Sequence, residues 1–322
     1  MSNVISGDKL FYWVDRAVWS KRPITADIFL TDYCNNRCHY CTYDEWGIKK
    51  MYRHMPLQNV KKYVSRMYDL GVRGFIFTGG GEPTIHPQFE EICQWMDEKG
   101  YSYGINTNFN ELKLVKPKFL KVSLDAWDEG SYKKIRGVAN YGKVRQNIIT
   151  YDSWRKEHSP NTSLGIQMVV VNACDVEKFY SANADLPVDY ISFRPVESKQ
   201  GEFYSEKQAM EQYLSIVETL NSLSVSDSRV KLNYKWNFIQ PENKLSKCAA
   251  NWSQIAINEK GQVMYCCNKP TEIVGHIMDN DILDKKERYN TNMELCRIPC
   301  RLTGPNEALK HILRDKDSSC FI

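Results

Sequence analysis

An apolar run, Ile24 to Leu30, breaks directly into three closely spaced cysteines, Cys34-Asn-Asn-Arg-Cys38-His-Tyr-Cys41. The run reads as a strand. The loop after it has to present three thiols side by side. Three thiolates can hold three irons of a four-iron cluster, which leaves the fourth iron without a ligand from the motif. An open position on a redox cluster is a place for chemistry as well as for electron storage. Zinc is the competing occupant. Structural zinc sites want four ligands, commonly in two close pairs, whereas this motif offers three at uneven spacing.

The next strand strengthens the cluster reading. Arg73-Gly-Phe-Ile-Phe-Thr78 runs into Gly79-Gly80-Gly81-Glu82-Pro83. Consecutive glycines after a strand let the backbone approach a ligand closely. Glu82 is a carboxylate on that bare turn, suited to an ammonium group. Alone, the run would be an ordinary strand-to-helix turn. Here it follows the cysteine loop by one helix and one strand.

With the cysteine triplet, Tyr40 before its last member and Gly80-Gly81-Glu82-Pro83 in this order, the chain resembles the radical S-adenosylmethionine (SAM) enzymes. The resemblance implies that Cys34, Cys38 and Cys41 hold a catalytic [4Fe-4S] cluster whose open iron binds the methionyl group of SAM. It further implies that Gly80, Gly81 and Glu82 lie at the methionyl ammonium and Tyr40 beside the adenine.

Strand-like and helix-like segments alternate through the middle of the chain, which predicts a parallel sheet with crossover helices. The strands are expected at 24–31, 75–78, 101–107, 119–124, 164–171 and 188–193. The helices are expected at 56–70, 87–99, 129–135, 143–156, 176–184 and 206–223. Six units are too few for an eight-fold barrel. The fold class is α/β, and the resemblance implies an open, partial (β/α)6 TIM-like barrel with its ligand at the C-terminal strand ends. Polar residues gather at those ends: Asn106, Thr107 and Asn108, then Ser123 and Asp125, Asn172, and Arg194. Caps and turns use the same residue types. In the family pattern Ser123 and Asp125 match a Ser-x-Asp that contacts the cofactor, and Arg136 matches an arginine near its carboxylate. Asn106 and Arg194 are further cofactor-binding candidates.

Past residue 240 the pattern changes. Trp252 to Tyr265 alternates about Asn-Glu-Lys-Gly and reads as a hairpin. Cys248 precedes it, Cys266-Cys267 ends it, and Cys296-x-x-x-Cys300 follows. The arrangement resembles the C-terminal twitch and SPASM modules of the same family, which hold an auxiliary cluster. The expected ligands of a second [4Fe-4S] cluster are Cys248, Cys266, Cys296 and Cys300, with Cys267 as the rival to Cys266. Cys93 is expected in the core, and Cys174 and Cys320 stay unassigned. The domains expected are an N-terminal helical extension over 1–23, built on Phe11, Trp13, Val14, Ala17 and Val18, the barrel over 24–235, and a hairpin-plus-helix auxiliary domain over 236–322.

Composition bounds the partners. A net charge of +4 over 322 residues shows no concentrated basic stripe, so no nucleic-acid partner is expected. No apolar stretch reaches the roughly 18 residues of a membrane span. Eleven cysteines with no secretory apolar core argue for a reducing cytoplasm over a disulfide framework.

The function the resemblance implies is reductive cleavage of SAM to a 5′-deoxyadenosyl radical that takes hydrogen from a substrate. The auxiliary cluster would then accept an electron, giving an oxidation. Return of hydrogen from a cysteine would give an epimerisation. The expected substrate is a small polar molecule (a sugar, aminocyclitol or nucleotide-sugar), with a ribosomal peptide as the second reading. The electron donor would be an external flavodoxin or ferredoxin. A zinc-holding module without catalysis is the reading from another class.

Overall fold

A computed structural model describes residues 21–199, 207–239 and 248–314. The expected helix over 1–23 and Cys320 lie outside these residues, apart from 21–23.

Seven strands run parallel: β1 (Thr25–Phe29), β2 (Gly74–Thr78), β3 (Ser102–Thr107), β4 (Phe119–Ser123), β5 (Ser163–Val170), β6 (Tyr190–Pro195) and β8 (Val230–Leu232). A two-residue strand, β7 (Ser198–Lys199), lies outside this sheet. Crossover helices α2 (Leu57–Asp69), α3 (Phe89–Glu98), α4 (Glu129–Arg136), α5 (Tyr141–His158), α6 (Ala173–Asn183) and α7 (Lys207–Ser226) join them. A one-turn helix, α1 (Thr42–Glu45), ends the cysteine loop. No helix lies between β3 and β4, as the short spacing there predicts. The sheet is open, consistent with a partial barrel.

The outer face of the sheet is apolar because each strand alternates. Ala26, Ile28, Phe75, Phe77 and Ile105 are buried against Val60, Val64 and Met67 of α2, which recur at helical spacing, and against Phe89, Ile92, Cys93 and Met96 of α3. A second cluster continues under β4 to β6 with Leu120, Val122, Leu164, Ile166, Ile191 and Phe193. Cys93 is therefore core, as expected. The inner face carries the intervening residues, among them Asp27, Asn106, Lys121, Gln167 and Arg194.

The C-terminal hairpin joins this sheet. β9 (Gln254–Ile257) lies parallel to β1, with Thr25 opposite Gln254 and Ile28 opposite Ile257. β10 (Gln262–Met264) returns antiparallel, and β11 (Ile273–His276) adds a third strand beyond the expected hairpin. Ile255, Ile257, Val263 and Ile277 enter the same core as β1 and β2. The sheet order is β11-β10-β9-β1-β2-β3-β4-β5-β6-β8. The chain then forms α8 (Ile282–Arg288), β12 (Arg297–Ile298), which pairs with β7, and α9 (Thr303–Arg314). Among the described residues no helix is long and apolar enough to cross a membrane.

A shared core has a mechanical consequence. Ile257→Ala should cost about 2–5 kcal/mol, the usual range for a large core truncation, and thermal unfolding should stay a single transition. Two separate transitions in calorimetry would show that the hairpin melts apart from the barrel.

Candidate functional site

The cysteine loop starts where β1 stops. Asp32 closes it: its carboxylate accepts the backbone N–H of Met51 (3.0 Å) and of Arg53 (2.7 Å), which ties the far end of the loop to its start. The loop then docks on two glycines. The N–H of Glu82 donates to the carbonyl of Tyr33 at 2.8 Å, and a Cβ on Gly81 would overlap that carbonyl. On the other side the N–H of Arg37 donates to the carbonyl of Arg136 at 2.8 Å. Gly137, at φ +77, ends α4 there, and a Cβ on it would meet the Arg37 carbonyl at 2.6 Å. The glycine turn thus serves backbone-to-backbone docking of the loop as well as access for a ligand.

A brace of side chains locks the loop from below. The Tyr40 hydroxyl donates to Asp125 at 2.6 Å, and the Val169 N–H donates to the other Asp125 oxygen at 2.6 Å. Arg136 pairs with Asp125, and its second guanidinium nitrogen lies 3.4 Å from the Cys38 sulfur. Asp125 sits at φ 55, an uncommon conformation outside glycine. Burial pushes the Tyr40 hydroxyl up to about 12, against the pull of Arg136, so it remains a donor.

Cys34, Cys38 and Cys41 line one open cavity, together with Gly79–Gly81, Tyr40, Asn106, Arg136 and Arg194. Two predicted residues take other places. Glu82 is 3% exposed, is absent from the cavity lining, and has its carboxylate occupied by the Thr84 N–H and hydroxyl, the Thr107 hydroxyl and the Asn108 N–H at 2.6–3.1 Å. It fixes the glycine turn to the end of β3. Asp125 likewise spends its oxygens inside the brace. Ser123 stands half-buried at the end of β4, and Asn172 is exposed and donates to Asp175 at 3.2 Å.

Four lining residues carry buried polar atoms with no hydrogen-bond partner: Asn36 Nδ2, Asn106 Oδ1, Arg136 Nε and Arg194 Nε. Unsatisfied buried groups ask for a ligand. Three donors and an acceptor, beside three thiols, suit a zwitterionic nucleotide next to a metal cluster. The Cys34 thiol is pushed up to about 12, by burial first and by Glu82 second. A thiolate at that spot needs a cation, which a bound metal would supply. The Asn36 N–H at 3.4 Å and the Asn108 amide at 3.8 Å point to the same sulfur.

Cys248, Cys266, Cys296 and Cys300 surround a second, much smaller cavity with Tyr265, Lys269 and Leu302. Burial and the neighbouring Cys300 push Cys248 up to about 12, and burial with three thiols nearby pushes Cys266 well above the usual range. The Asn306 amide donates to the Cys248 sulfur at 3.3 Å, and the Leu302 N–H to that of Cys300 at 3.4 Å. Cys267 is absent from this lining and faces the first cavity. Cys174 is exposed on α6, away from both.

Sequence reasoning missed Asp27 and Arg301. They form an ion pair at the edge of the first cavity, one residue along from Cys300, and Asp27 is 3% exposed. A lone aspartate inside an otherwise apolar strand was the available signal, since a buried charge needs a partner. Asn36 was missed too; its carbonyl accepts the Asn110 amide at 2.6 Å.

The docking geometry gives a direct test. Gly81→Ala should force the cysteine loop off the β2 turn and cut iron retained by the N-terminal motif by more than half after anaerobic reconstitution. Full iron content in that variant would show that the close approach is dispensable.

Residues 28–180 match the model of the Radical SAM superfamily. A GTP 3′,8-cyclase of Clostridium botulinum is 22% identical over 273 residues, covering 76% of this chain and 82% of that protein. The crystal structure of Streptococcus suis SuiB bound to the precursor peptide SuiA aligns with a TM-score of 0.64 at 14% identity, over 98% of this chain and 80% of that one. The structure of anSMEcpe with bound AdoMet aligns with a TM-score of 0.62 at 17% identity, over 85% and 82%. At these identities the structural likeness speaks to the fold, an open α/β barrel. With the family match lying across the cysteine loop and the glycine turn, the chain carries a radical SAM domain and belongs to the radical SAM superfamily.

Proposed function

We propose that this enzyme cleaves SAM at the Cys34/Cys38/Cys41 centre to take hydrogen from a small polar substrate, and that Cys248, Cys266, Cys296 and Cys300 hold an auxiliary four-iron cluster. The supporting observation is the pair of neighbouring cysteine-lined cavities: Asn268 lines both, and the Asp27–Arg301 ion pair lines the first, next in the chain to Cys300 of the second. Bound at the two sites, the clusters would supply an electron to SAM and an electron sink for the substrate. The remaining work belongs to the protein. Tyr40, braced on Asp125, offers an aromatic face at the third cysteine. The backbone of Gly79–Gly81 gives a bare wall for the methionyl group. Asn36, Asn106, Arg136 and Arg194 provide open donors and an acceptor for the polar ends of SAM or substrate.

The placement of Cys267 bears on the outcome. Its thiol lines the first cavity, beside Arg301, and is the one placed to return a hydrogen to a substrate carbon if the net reaction is an epimerisation. Without that return, the electron leaves and the substrate is oxidised. A ribosomal peptide is the second reading, favoured by the fold likeness to SuiB in its peptide-bound form. A cytoplasmic setting and an external flavodoxin or ferredoxin as donor complete the proposal.

Anaerobically reconstituted protein should be brown and hold about eight irons per chain, the sum of two four-iron clusters. Replacing Cys34, Cys38 and Cys41 by Ala should abolish formation of 5′-deoxyadenosine from SAM. Persistent 5′-deoxyadenosine, or a colourless protein that holds zinc, would overturn the proposal.

A separate pair of variants resolves the adjacent thiols. Cys266→Ala should lose about four irons per chain, while Cys267→Ala should keep about eight. The reverse result would exchange the roles of the two residues.

A further inference from the structure

The inner face of the barrel holds more positive charge than its own carboxylates balance. Lys121 on β4, Arg194 on β6, Lys235 and Arg301 converge there, against two carboxylates, Glu197 and Asp27. Both carboxylates are already engaged. Asp27 pairs with Arg301. Glu197 pairs with Lys235, accepts Arg194 at 3.0 Å and accepts the Asn268 amide at 3.4 Å.

Lys121 is the cation left over. Among the described residues it forms no ion pair and donates no hydrogen bond. Its side chain faces the barrel interior because Leu120 and Val122 on either side are buried in the helix-facing core. Across the sheet it stands opposite Asn106, whose Oδ1 is unsatisfied, and opposite Gly165, whose bare inner face is covered by the Tyr190 ring. Burial first, and then Arg194, Lys235 and Arg301, push its ammonium down to about 7. The Nε of Arg194 is also without a partner, and Arg194 lines the SAM-side cavity.

Like charges gathered at low dielectric repel strongly. Structural cations of this kind are normally paired, as Arg155 is here with Asp152 and Asp189. Among the described residues, four cations on two engaged carboxylates leave room for an anion. The thiolates of the two cysteine sites do not meet this need at Lys121, whose largest charge interactions are with the three cations and Glu197. We propose that the substrate carries a phosphate or a comparable dianionic oxyanion, seated on Lys121 and Arg194 at the barrel side of the cavity. The inference rests on the radical SAM reading for the role of the cavity, and it turns the substrate class away from cationic aminocyclitols.

The test is calorimetric titration of the anaerobically reconstituted full chain, with and without saturating SAM. The probes are inorganic phosphate, pyrophosphate and malonate, with glucosamine as the cationic comparison. The expected result is saturable 1:1 binding of at least one anion with SAM already bound, and none of glucosamine. Tighter phosphate or pyrophosphate marks a phosphoryl group, and tighter malonate a dicarboxylate; either supports an oxyanion substrate. Lys121→Gln should weaken binding at least about tenfold, the loss of one charge-assisted hydrogen bond, and Lys121→Arg should restore most of it. Because Lys121 has no ion-pair partner among the described residues, Lys121→Gln should melt no lower than the parent.

No saturable anion binding in the SAM-loaded parent overturns the proposal without recourse to any variant. Undiminished binding in Lys121→Gln, or displacement of the anion by SAM itself, overturns it as well. The two readings fail separately. Anion binding in a protein that forms no 5′-deoxyadenosine would sink the radical chemistry and leave the anion site. 5′-Deoxyadenosine formation without anion binding would do the opposite.

Discussion

The site depends on one close approach: the backbone of the cysteine loop lying directly on the backbone of Gly81 and Gly137. A loop of this kind has few apolar side chains to bury, so packing alone cannot position it. Hydrogen bonds from Glu82 to Tyr33 and from Arg37 to Arg136, both at 2.8 Å, do so instead. They require that no Cβ intervene on either glycine. The Tyr40–Asp125–Arg136 brace then fixes the loop against the ends of β4 and α4. Its cost is a non-glycine residue at positive φ, of order 1–3 kcal/mol, held by the three hydrogen bonds that converge on Asp125. The three cysteines thus sit on one braced loop, and bracing of this kind is what pre-organises a site.

Much of this was legible in the chain. The alternation of apolar strands with helices of 3.6-residue period gives the parallel barrel, because each strand must bury one face under its crossover helix. The cysteine triplet and the glycine turn locate the mouth. The partner of the C-terminal hairpin was not legible. Residues 254–264 announce a hairpin locally, but nothing in them states that β9 will lie beside β1, more than two hundred residues earlier. Edge choice is made by long-range packing, here of Ile255 and Ile257 on the core under β1. The three residues of β8 are too few to give a period. Glu82 shows a different limit. Its type and place on a bare turn suggest an ammonium partner, yet Thr84, Thr107 and Asn108 supply enough donors to fill its carboxylate. Two of the four donor groups, from Thr107 and Asn108, lie at the end of the next strand, which only the fold brings beside Glu82.

Cys266 and Cys267 mark the boundary between what a sequence states and what it withholds. Successive side chains leaving a strand diverge, so two neighbouring thiols there tend to serve two different surroundings. Which thiol serves which is decided by how β10 sits on β9, and through β9 on β1. In this fold Cys266 joins Cys248, Cys296 and Cys300, and Cys267 packs by Phe29 and Cys41.

The two cavities are then tied by arginines that alternate with the last cysteines. Arg297, next to Cys296, pairs with Glu45 of the helix that follows Cys41, and it donates to the Glu197 carbonyl at 2.9 Å. Arg301, next to Cys300, pairs with Asp27 on β1 and donates to Gln254 on β9 at 2.5 Å. Each C-terminal thiol thus has a neighbour anchored to an element that carries the first site. Asp27 is buried, so losing Arg301 would leave an uncompensated charge, which costs several kcal/mol, whereas the half-exposed Glu45 makes the other pair worth less. These charge pairs join the pairing of β9 with β1 in holding the second cysteine site beside the first. Lys121, without an ion-pair partner among the described residues, lies on the inner face of the same sheet as Asp27 and Arg194.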